Sequence, residues 1–400
     1  MDTDPRATGA RLRAAREAAG LSLAALAARI PYCKAALGHY ETGTRTPTAE
    51  VIAWYDQVCG PAADPVTSAA VLGRNDVDRR SFLRRAAYSA ALSATALASL
   101  PEAARLATVG ESRHVGMAEV QAVHGVTDAF HRLDEVRGGG AGRTAVAEFL
   151  STDVAALLRS EFATAEVRSQ AFGAAAELAY LAGFKAHDAG ADGLAQRYYM
   201  SALRLAEESG IPGHDAWALR ILGLQGADLE QRRHSVNLAE NALLRADGQV
   251  SGVASALFVV ALARCHAESG DAAQARVVLR RAEPYMDTGT VLEFPRWMAG
   301  WTPTGAIVPH QAAKAFEAVG DLVAAEQHYA LAASMWNPST HARVHAITCA
   351  ETALIRWRMG DEAGATEIVR PVLATLAAVD SDRTRAVLEE VGEGFGHSVI

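Results

Sequence analysis

The residues of this chain best able to do covalent or metal chemistry are its 13 histidines and 4 cysteines, and their spacing assembles no site. A structural zinc site draws on cysteines paired at short intervals, whereas Cys33, Cys59, Cys265 and Cys349 stand far apart. His114, His124 and His131 come nearest to a helical period, but no carboxylate accompanies them in the manner of a metal-binding helix. Gly-x-Ser-x-Gly, Gly-x-x-x-x-Gly-Lys and His-Glu-x-x-His patterns are all missing from the sequence. The nucleophile elbow, the phosphate loop and the zinc-protease helix are thereby excluded. The glycine run Gly138–Gly142 follows a helical stretch with no strand before it, so it lacks the context of a dinucleotide-binding turn. The expectation is a protein that is not an enzyme and that carries no cofactor and no metal.

The elements that hold the remaining polar residues read as helices. Half of the sequence is hydrophobic (50%), aromatics are 6% and alanine dominates. That composition favours helix, and alternating β-branched runs are scarce. At 400 residues the chain is too long for one ordinary core. Charge is uneven. The net is −8; residues 1–115 hold 14 Lys/Arg and 11 Asp/Glu, giving +3, and the remainder 24 and 35, giving −11. A mildly basic start suits nucleic acid. The scattered cysteines and a start without an apolar signal core suggest a cytoplasmic protein.

Residues 8–19 form one amphipathic stretch ended by Gly20, where a helix C-terminus favours glycine. Ser22 is placed to cap a second, with Leu23, Leu26, Ala27 and Ile30 as its apolar stripe. A third stretch begins at Cys33 after Pro31-Tyr32. Gly43 and Pro47 then break the chain before a fourth, with Val51, Ile52 and Tyr55 facing inward. Short helices around a tight turn are the layout that sends a helix into the major groove.

The run from Leu12 to Pro47 resembles the lambda-repressor-like (XRE) helix-turn-helix family at Leu12, Arg16, Gly20-Leu21-Ser22, Leu26-Ala27, Leu37, Tyr40-Glu41, Gly43 and Pro47. By that resemblance residues 33–40 are the recognition helix. Cys33, Lys34, Ala35, Ala36 and His39 would face the groove, while Ser22, Thr44 and Arg45 would hold phosphates. The equivalent of Glu41 is structural in the family, tying the recognition helix to the rest of the domain. Leu23 stands where the family often has glutamine, and Pro31 where it usually has glycine. Ala35, Ala36 and Gly38 bring few hydrogen bonds, although alanine can meet a thymine methyl.

Residues 61–115 read as linker and connecting helix. Asp78–Arg85 with the apolar run behind it resembles a twin-arginine export signal, but it lies behind a complete domain and is too short to span a bilayer. A helix between the two domains is the expectation. Arginine pairs at this place, like the scarcity of lysine (Lys34, Lys185 and Lys314 alone), resemble actinobacterial regulators.

From residue 116 onward the chain repeats. Small residues recur at Gly183, Gly223, Ala263, Ala313 and Ala353. A second column is Ala195, Ser235, Ala275, Ala325 and Ala365, and a third Ala202, Ala242, Ala282, Ala332 and Val372. Each column keeps intervals of 40, 40, 50 and 40 residues. Helices approach closely only where side chains are small, so the columns predict stacked helical hairpins. They resemble tetratricopeptide repeats, with a longer period than the usual ~34 residues. The fold class expected is all-α: residues 1–60 helix-turn-helix, residues 116–400 an α-solenoid. The first helix of each repeat normally lines the concave surface. Tyr180, Phe184, His187, Trp217, Arg220, Arg264, His310, Lys314 and Trp357 are placed there. Trp297 and Trp301 lie in a ten-residue insertion, 286–309, that is either a lip over a ligand groove or an apolar plug. Cations with aromatics suit a peptide or an anionic small molecule.

The resulting expectation is a dimeric regulator that binds double-stranded DNA and answers to a peptide, small-molecule or protein effector. An interaction adaptor with a degenerate helix-turn-helix is the alternative. The columns carry their own test: Ala263→Leu should overpack a hairpin and cost about 1–3 kcal/mol, read as a lowered urea midpoint; an unchanged midpoint would show that the column is not a packing column.

Overall fold

A computed structural model describes residues 5–18, 21–27, 30, 32–48, 51–52, 54–55, 72, 114–250, 252–283, 294–299 and 305–395. The chain forms two compact units, Met1–Ser68 and Ala69–Ile400. Asp78–Arg85, Gly20, Pro31, Cys59 and Trp301 lie outside the described residues.

The first unit contains α1 (Pro5–Ala18), α2 (Leu23–Ala27) and α3 (Lys34–Glu41), with Val51, Ile52, Trp54 and Tyr55 in a fourth helical segment. Its core is Leu12, Leu26, Ile30, Leu37, Tyr40, Val51 and Tyr55, the apolar stripes of the sequence brought together. The Leu21 amide donates to the Arg16 carbonyl at 3.1 Å, a six-to-one bond of the kind that ends helices in a Schellman motif. Ser22 Oγ then accepts the Ala25 amide at 3.1 Å and starts α2 as an N-cap. Gly9 permits α1 to approach α3: a Cβ there would lie 2.8 Å from the Glu41 carbonyl oxygen.

The second unit is a stack of antiparallel helices. Its described strands are a two-residue parallel pair, His114–Val115 with Glu161–Phe162. α4 (Met117–Arg137) leads into α5 (Arg143–Phe149), a π-helical turn (Leu150–Val154) and α6 (Ala155–Leu158). Five hairpins follow: α7/α8 (Ala165–Asp188, Asp192–Ser209), α9/α10 (His214–Asp228, Arg232–Ala246), α11/α12 (Gly252–Glu268, Ala272–Arg280), then, after a short α13 (Arg296–Ala299), α14/α15 (Ile307–Ala318, Leu322–Met335) and α16/α17 (Ala342–Arg358, Glu362–Val369). α18 (Leu373–Ala378) and α19 (Asp382–Phe395) complete the unit. Fourteen of the fifteen column residues are wholly or almost wholly buried, Val372 being slightly less so at 7% exposed. A Cβ at Gly183 would sit 2.7 Å from the Tyr199 ring, and one at Gly223 3.2 Å from the Ser235 carbonyl oxygen. Small residues there are a steric condition for hairpin closure.

The turns repeat in the same register. Gly190, Glu230, Gly270, Gly320 and Gly360 all have φ between 57° and 88°, the left-handed conformation that glycine adopts without steric cost. Asp271, Asp321 and Asp361 follow three of them and accept the amides of Gln274, Ala324 and Gly364 at 3.0–3.2 Å. These are N-caps on the second helix of each hairpin.

The array closes on itself. α16 packs on α4 as well as on its neighbours in sequence. Arg343, at the start of α16, donates to Asp134 of α4 at 2.6 Å and to Asp188 at the end of α7 at 2.9 Å. Lys185 reaches Asp134 at 3.0 Å. Asp188 also accepts the Gly139 amide at 2.7 Å and the Ser381 hydroxyl at 2.9 Å. The run Gly138–Gly142 is part of this junction. The Gly140 amide donates to the Asp380 carbonyl and the Asp380 amide to that of Arg137, at 3.1 and 3.0 Å. A Cβ at Gly139 would fall 2.6 Å from Asp188. The segment after 380, expected as a cap on a free end, is joined to the first helix instead.

Breaking this junction should be costly. Asp134, Asp188, Lys185 and Arg343 are each at most 2% exposed, and removing one partner of a buried ion pair typically costs ~3–5 kcal/mol. Arg343→Ala should lose about that much in chemical denaturation and increase amide exchange in both α4 and α16. A loss below about 1 kcal/mol, or protection lost in α16 alone, would count against the junction.

Candidate nucleic-acid interface and enclosed cavity

In the first unit Cys33, Lys34, Ala35 and His39 are exposed on α3, and Ala36 is half-buried against the core. Thr44 and Arg45 are exposed just beyond the helix. Arg45 lies 5.2 Å over the Tyr40 ring, while Thr44 shares a 2.8 Å hydrogen bond with Thr42. Ser22 is exposed too, though its Oγ is engaged as the cap of α2. The proposed groove residues therefore share one exposed helix, and the charge among them is Lys34 with Arg45 adjoining. A Cβ at Gly38 would meet nothing within 4 Å, so this glycine leaves open space on that helix.

Behind the helix a buried polar hub holds its angle. Arg16 of α1 forks onto Glu41 of α3, Nε to Oε1 at 2.6 Å and Nη2 to Oε2 at 2.7 Å. Arg16 Nη1 reaches the Leu21 carbonyl at 2.8 Å and the Tyr55 hydroxyl donates to Glu41 at 2.8 Å. One carboxylate thus joins α1, α3 and the fourth segment, and through Arg16 the turn before α2. Bidentate pairs of this kind fix geometry as well as energy. Glu41 is structural, as the resemblance implied.

In the second unit five of the proposed effector residues share a cavity of about 120 Å³. Tyr180, Phe184, Trp217, Arg220 and His310 line it, with Ile221, Leu224, Ile307, Val344 and Ile347 as apolar wall. Glu135, Trp336, His341, Arg343 and Arg383 complete it and were not anticipated. Ile307 and Ile347 lie 90 and 130 residues after Trp217, the same register position counted across the insertion; the columns contained that signal. Glu135, Trp336 and Arg343 have no register partner lining the cavity.

The other proposed residues are elsewhere. Arg264 is paired with Asp228 and donates to Gln311 at 3.2 Å. His187 meets Asp192 at 2.6 Å. Lys314 and His310 both bond to Glu351, at 2.6 and 2.7 Å, and these two cations hold Glu351 well below the usual carboxylate range. Trp357 stacks on Phe395, ring centroids 4.4 Å apart, in the C-terminal core. Trp297 is 4% exposed, stacks on His214 at 5.4 Å and sits 6.0 Å behind the Trp217 ring. Arg296 beside it bonds Asp128 at 2.7 Å. The described part of the insertion is a plug behind the cavity wall. Among the described residues no His, Cys, Asp and Glu cluster suits a metal ion.

Arg220 carries the distinctive chemistry. It is 4% exposed. Nε donates to the Leu257 carbonyl at 3.0 Å, the guanidinium lies 4.5 Å over the Trp217 ring, and the Tyr180 hydroxyl is its further partner. No carboxylate pairs with it, and burial pulls its pKa below the ordinary arginine value. Glu135, 3.6 Å from Arg343, is pushed up to about 7 by burial.

Residues 7–67 match the family described as helix-turn-helix domain. The first unit is that domain. A search of curated proteins returned no match.

Buried histidines tie the array to pH. Burial holds His131 at about 4 and His214 at about 3, below the ordinary 6.5. Their folded values lie beneath the unfolded one, so their contribution is complete above pH 6.5 and is lost as pH falls toward 4. Glu135 acts oppositely: its raised value means the folded state gains relative stability from pH 7 down to 4.5. Two histidines with shifts of this size outweigh one carboxyl. The urea midpoint should fall between pH 7 and 5, and His214→Phe should recover part of that loss. A midpoint that rises on acidification would contradict the assignment. Five of the 6 tryptophans belong to this unit, so their fluorescence reports on it.

Proposed function

We propose that this chain is a sequence-specific DNA-binding transcriptional regulator of the XRE type, whose tetratricopeptide-like array dimerises and binds an effector. The observation that carries the reading is the exposed face of α3, Lys34 with Cys33, Ala35 and His39, presented at a fixed angle by the Arg16–Glu41–Tyr55 hub. Paired domains would read half-sites about one helical turn apart. An effector changes DNA affinity only if it prefers one arrangement of the two halves. A peptide, a small molecule or a protein are the candidate effector classes, and cytoplasmic residence follows from the reading.

One observation favours a second reading. Ala35, Ala36 and Gly38 leave the helix face poor in hydrogen-bonding groups, which also suits a domain that contacts protein in an adaptor. A gel shift of the full chain against random and genomic fragments separates the two. DNA binding should be retained at low salt with preference among fragments. Replacing Lys34 and Arg45 together by alanine should weaken binding to all sequences. It should also reduce the slope of log affinity against log salt by about 1–2, each lost phosphate contact contributing ~0.9. An unchanged slope would move the interface off this face, and no retention of any fragment would favour the adaptor.

A further inference from the structure

We propose that the enclosed cavity of the array binds a small organic carboxylate whose apolar body is about the size of one aromatic ring. The proposal rests on reading the array as the effector-binding half of a regulator, and it names the class of effector.

Size comes first. About 120 Å³ is close to the ~150 Å³ that accepts benzene in an apolar cavity. A folded peptide segment needs more. The walls are the faces of Trp217, Tyr180 and Phe184 and the aliphatic Ile221, Ile307 and Ile347, surroundings for an apolar body rather than for an inorganic anion.

Polarity comes second. Trp217 Nε1, Trp336 Nε1 and Arg343 Nε are buried lining groups without a hydrogen-bond partner in the protein. The three side chains are 2%, 5% and 2% exposed. All three are donors. Glu135 Oε2 is the one unpartnered acceptor among the described lining residues. A cavity that offers three unspent donors calls for a ligand rich in acceptors.

Charge comes third. Arg220, Arg343 and Arg383 line the cavity against one carboxylate, Glu135. Arg343 already serves Asp134 and Asp188. Arg220 serves none: a carbonyl, a hydroxyl and a ring face surround its guanidinium. Burying a cation without a counter-ion is costly, and a bound carboxylate would supply the missing charge through charge-assisted bonds. A neutral acceptor would satisfy the indoles and leave Arg220 unpaired. A protonated amine would add a like charge.

The test uses the full chain. Acetate, isovalerate and benzoate are titrated by calorimetry and by the indole N–H resonances in a nitrogen-15 spectrum, with benzyl alcohol and benzylamine as neutral and cationic counterparts. Benzoate should bind saturably, one per chain, and shift the Trp217 and Trp336 indoles while leaving that of Trp357, which packs on Phe395, in place. It should bind at least about tenfold tighter than benzyl alcohol, the worth of one charged hydrogen bond, and benzylamine should not bind. Arg220→Met should cost about tenfold or more in benzoate affinity while the melting temperature holds or rises, since an unpaired buried charge is removed; a purely structural arginine would lower it. Should that variant not fold, Trp336→Phe should still weaken benzoate binding by removing one donor. The proposal fails if no carboxylate shifts either indole, if the neutral counterpart binds equally well, or if Arg220→Met binds benzoate unchanged. Retained DNA binding without any carboxylate response sinks the cavity site alone. Benzoate binding by a chain that retains no DNA sinks the regulator reading alone.

Discussion

The array depends on one buried charge cluster. Arg343 holds Asp134 and Asp188 at once, Lys185 holds Asp134, and the Gly139 amide and Ser381 hydroxyl complete Asp188. The groups come from the first helix, the first hairpin, the last hairpin and the segment after it, up to 209 residues apart. A stack of hairpins coupled only to nearest neighbours is a one-dimensional object whose ends are free to fray and splay. Joining the ends makes every hairpin part of a closed circuit. The aqueous groove of an open solenoid becomes an interior, and interior polar groups must then be accounted for. The orphaned indoles, the unpaired Arg220 and the displaced ionisation of Glu135 all follow from that enclosure.

The hairpins were legible in the sequence because they are local and periodic. Gly183 or Ala263 repeats every 40 or 50 residues because each faces the same neighbour in its own hairpin, and a steric condition that recurs leaves a trace. The turn column extends it: Glu230 occupies the left-handed position that glycine fills in the other four repeats, so composition hid a member that geometry includes. Closure had no such trace. Arg343 has no counterpart at its register position in the other repeats, and nothing in the spacing of Asp134, Lys185 and Asp188 announces a common partner 155 residues beyond the last. The glycines at 138–142, set aside as a nucleotide motif, are needed because backbone there meets backbone of Asp380 and Lys185.

The first unit shows the same division. Leu12, Leu26, Leu37 and Tyr55 form the core their periodicity implied, and the match over residues 7–67 agrees with the motif spacing. Glu41 was placed by resemblance; the structure supplies the reason, a carboxylate saturated by Arg16 and Tyr55. Gly9 went unnoticed, since a glycine that exists to let α3 approach looks from sequence like a weak position in α1. Of the effector residues, register placed Tyr180, Arg220 and His310 correctly around the cavity. It failed for Trp357 and Arg264, because a position in a register says which way a helix face turns, not whether a local carboxylate or ring has already claimed the side chain.

Arg343 has two obligations, and that bears on how a ligand could matter. Its Nη atoms close the array, while the same side chain lines the cavity with Nε unpartnered. A ligand satisfying Nε would bind only the closed arrangement, because in an open one Arg343 leaves both the cavity wall and the aspartates. Its binding energy would add directly to the stability of closure, by RT ln(1 + [L]/Kd). No separate pathway through the hairpins is required, since the residue that senses occupancy is the residue that holds the ends together. The unpaired Arg220 then makes sense as a group kept at a cost to the empty array: replacing it with an apolar side chain would stabilise the fold and remove the preference for a charged ligand, which is the trade expected of a binding residue and not of a packing one.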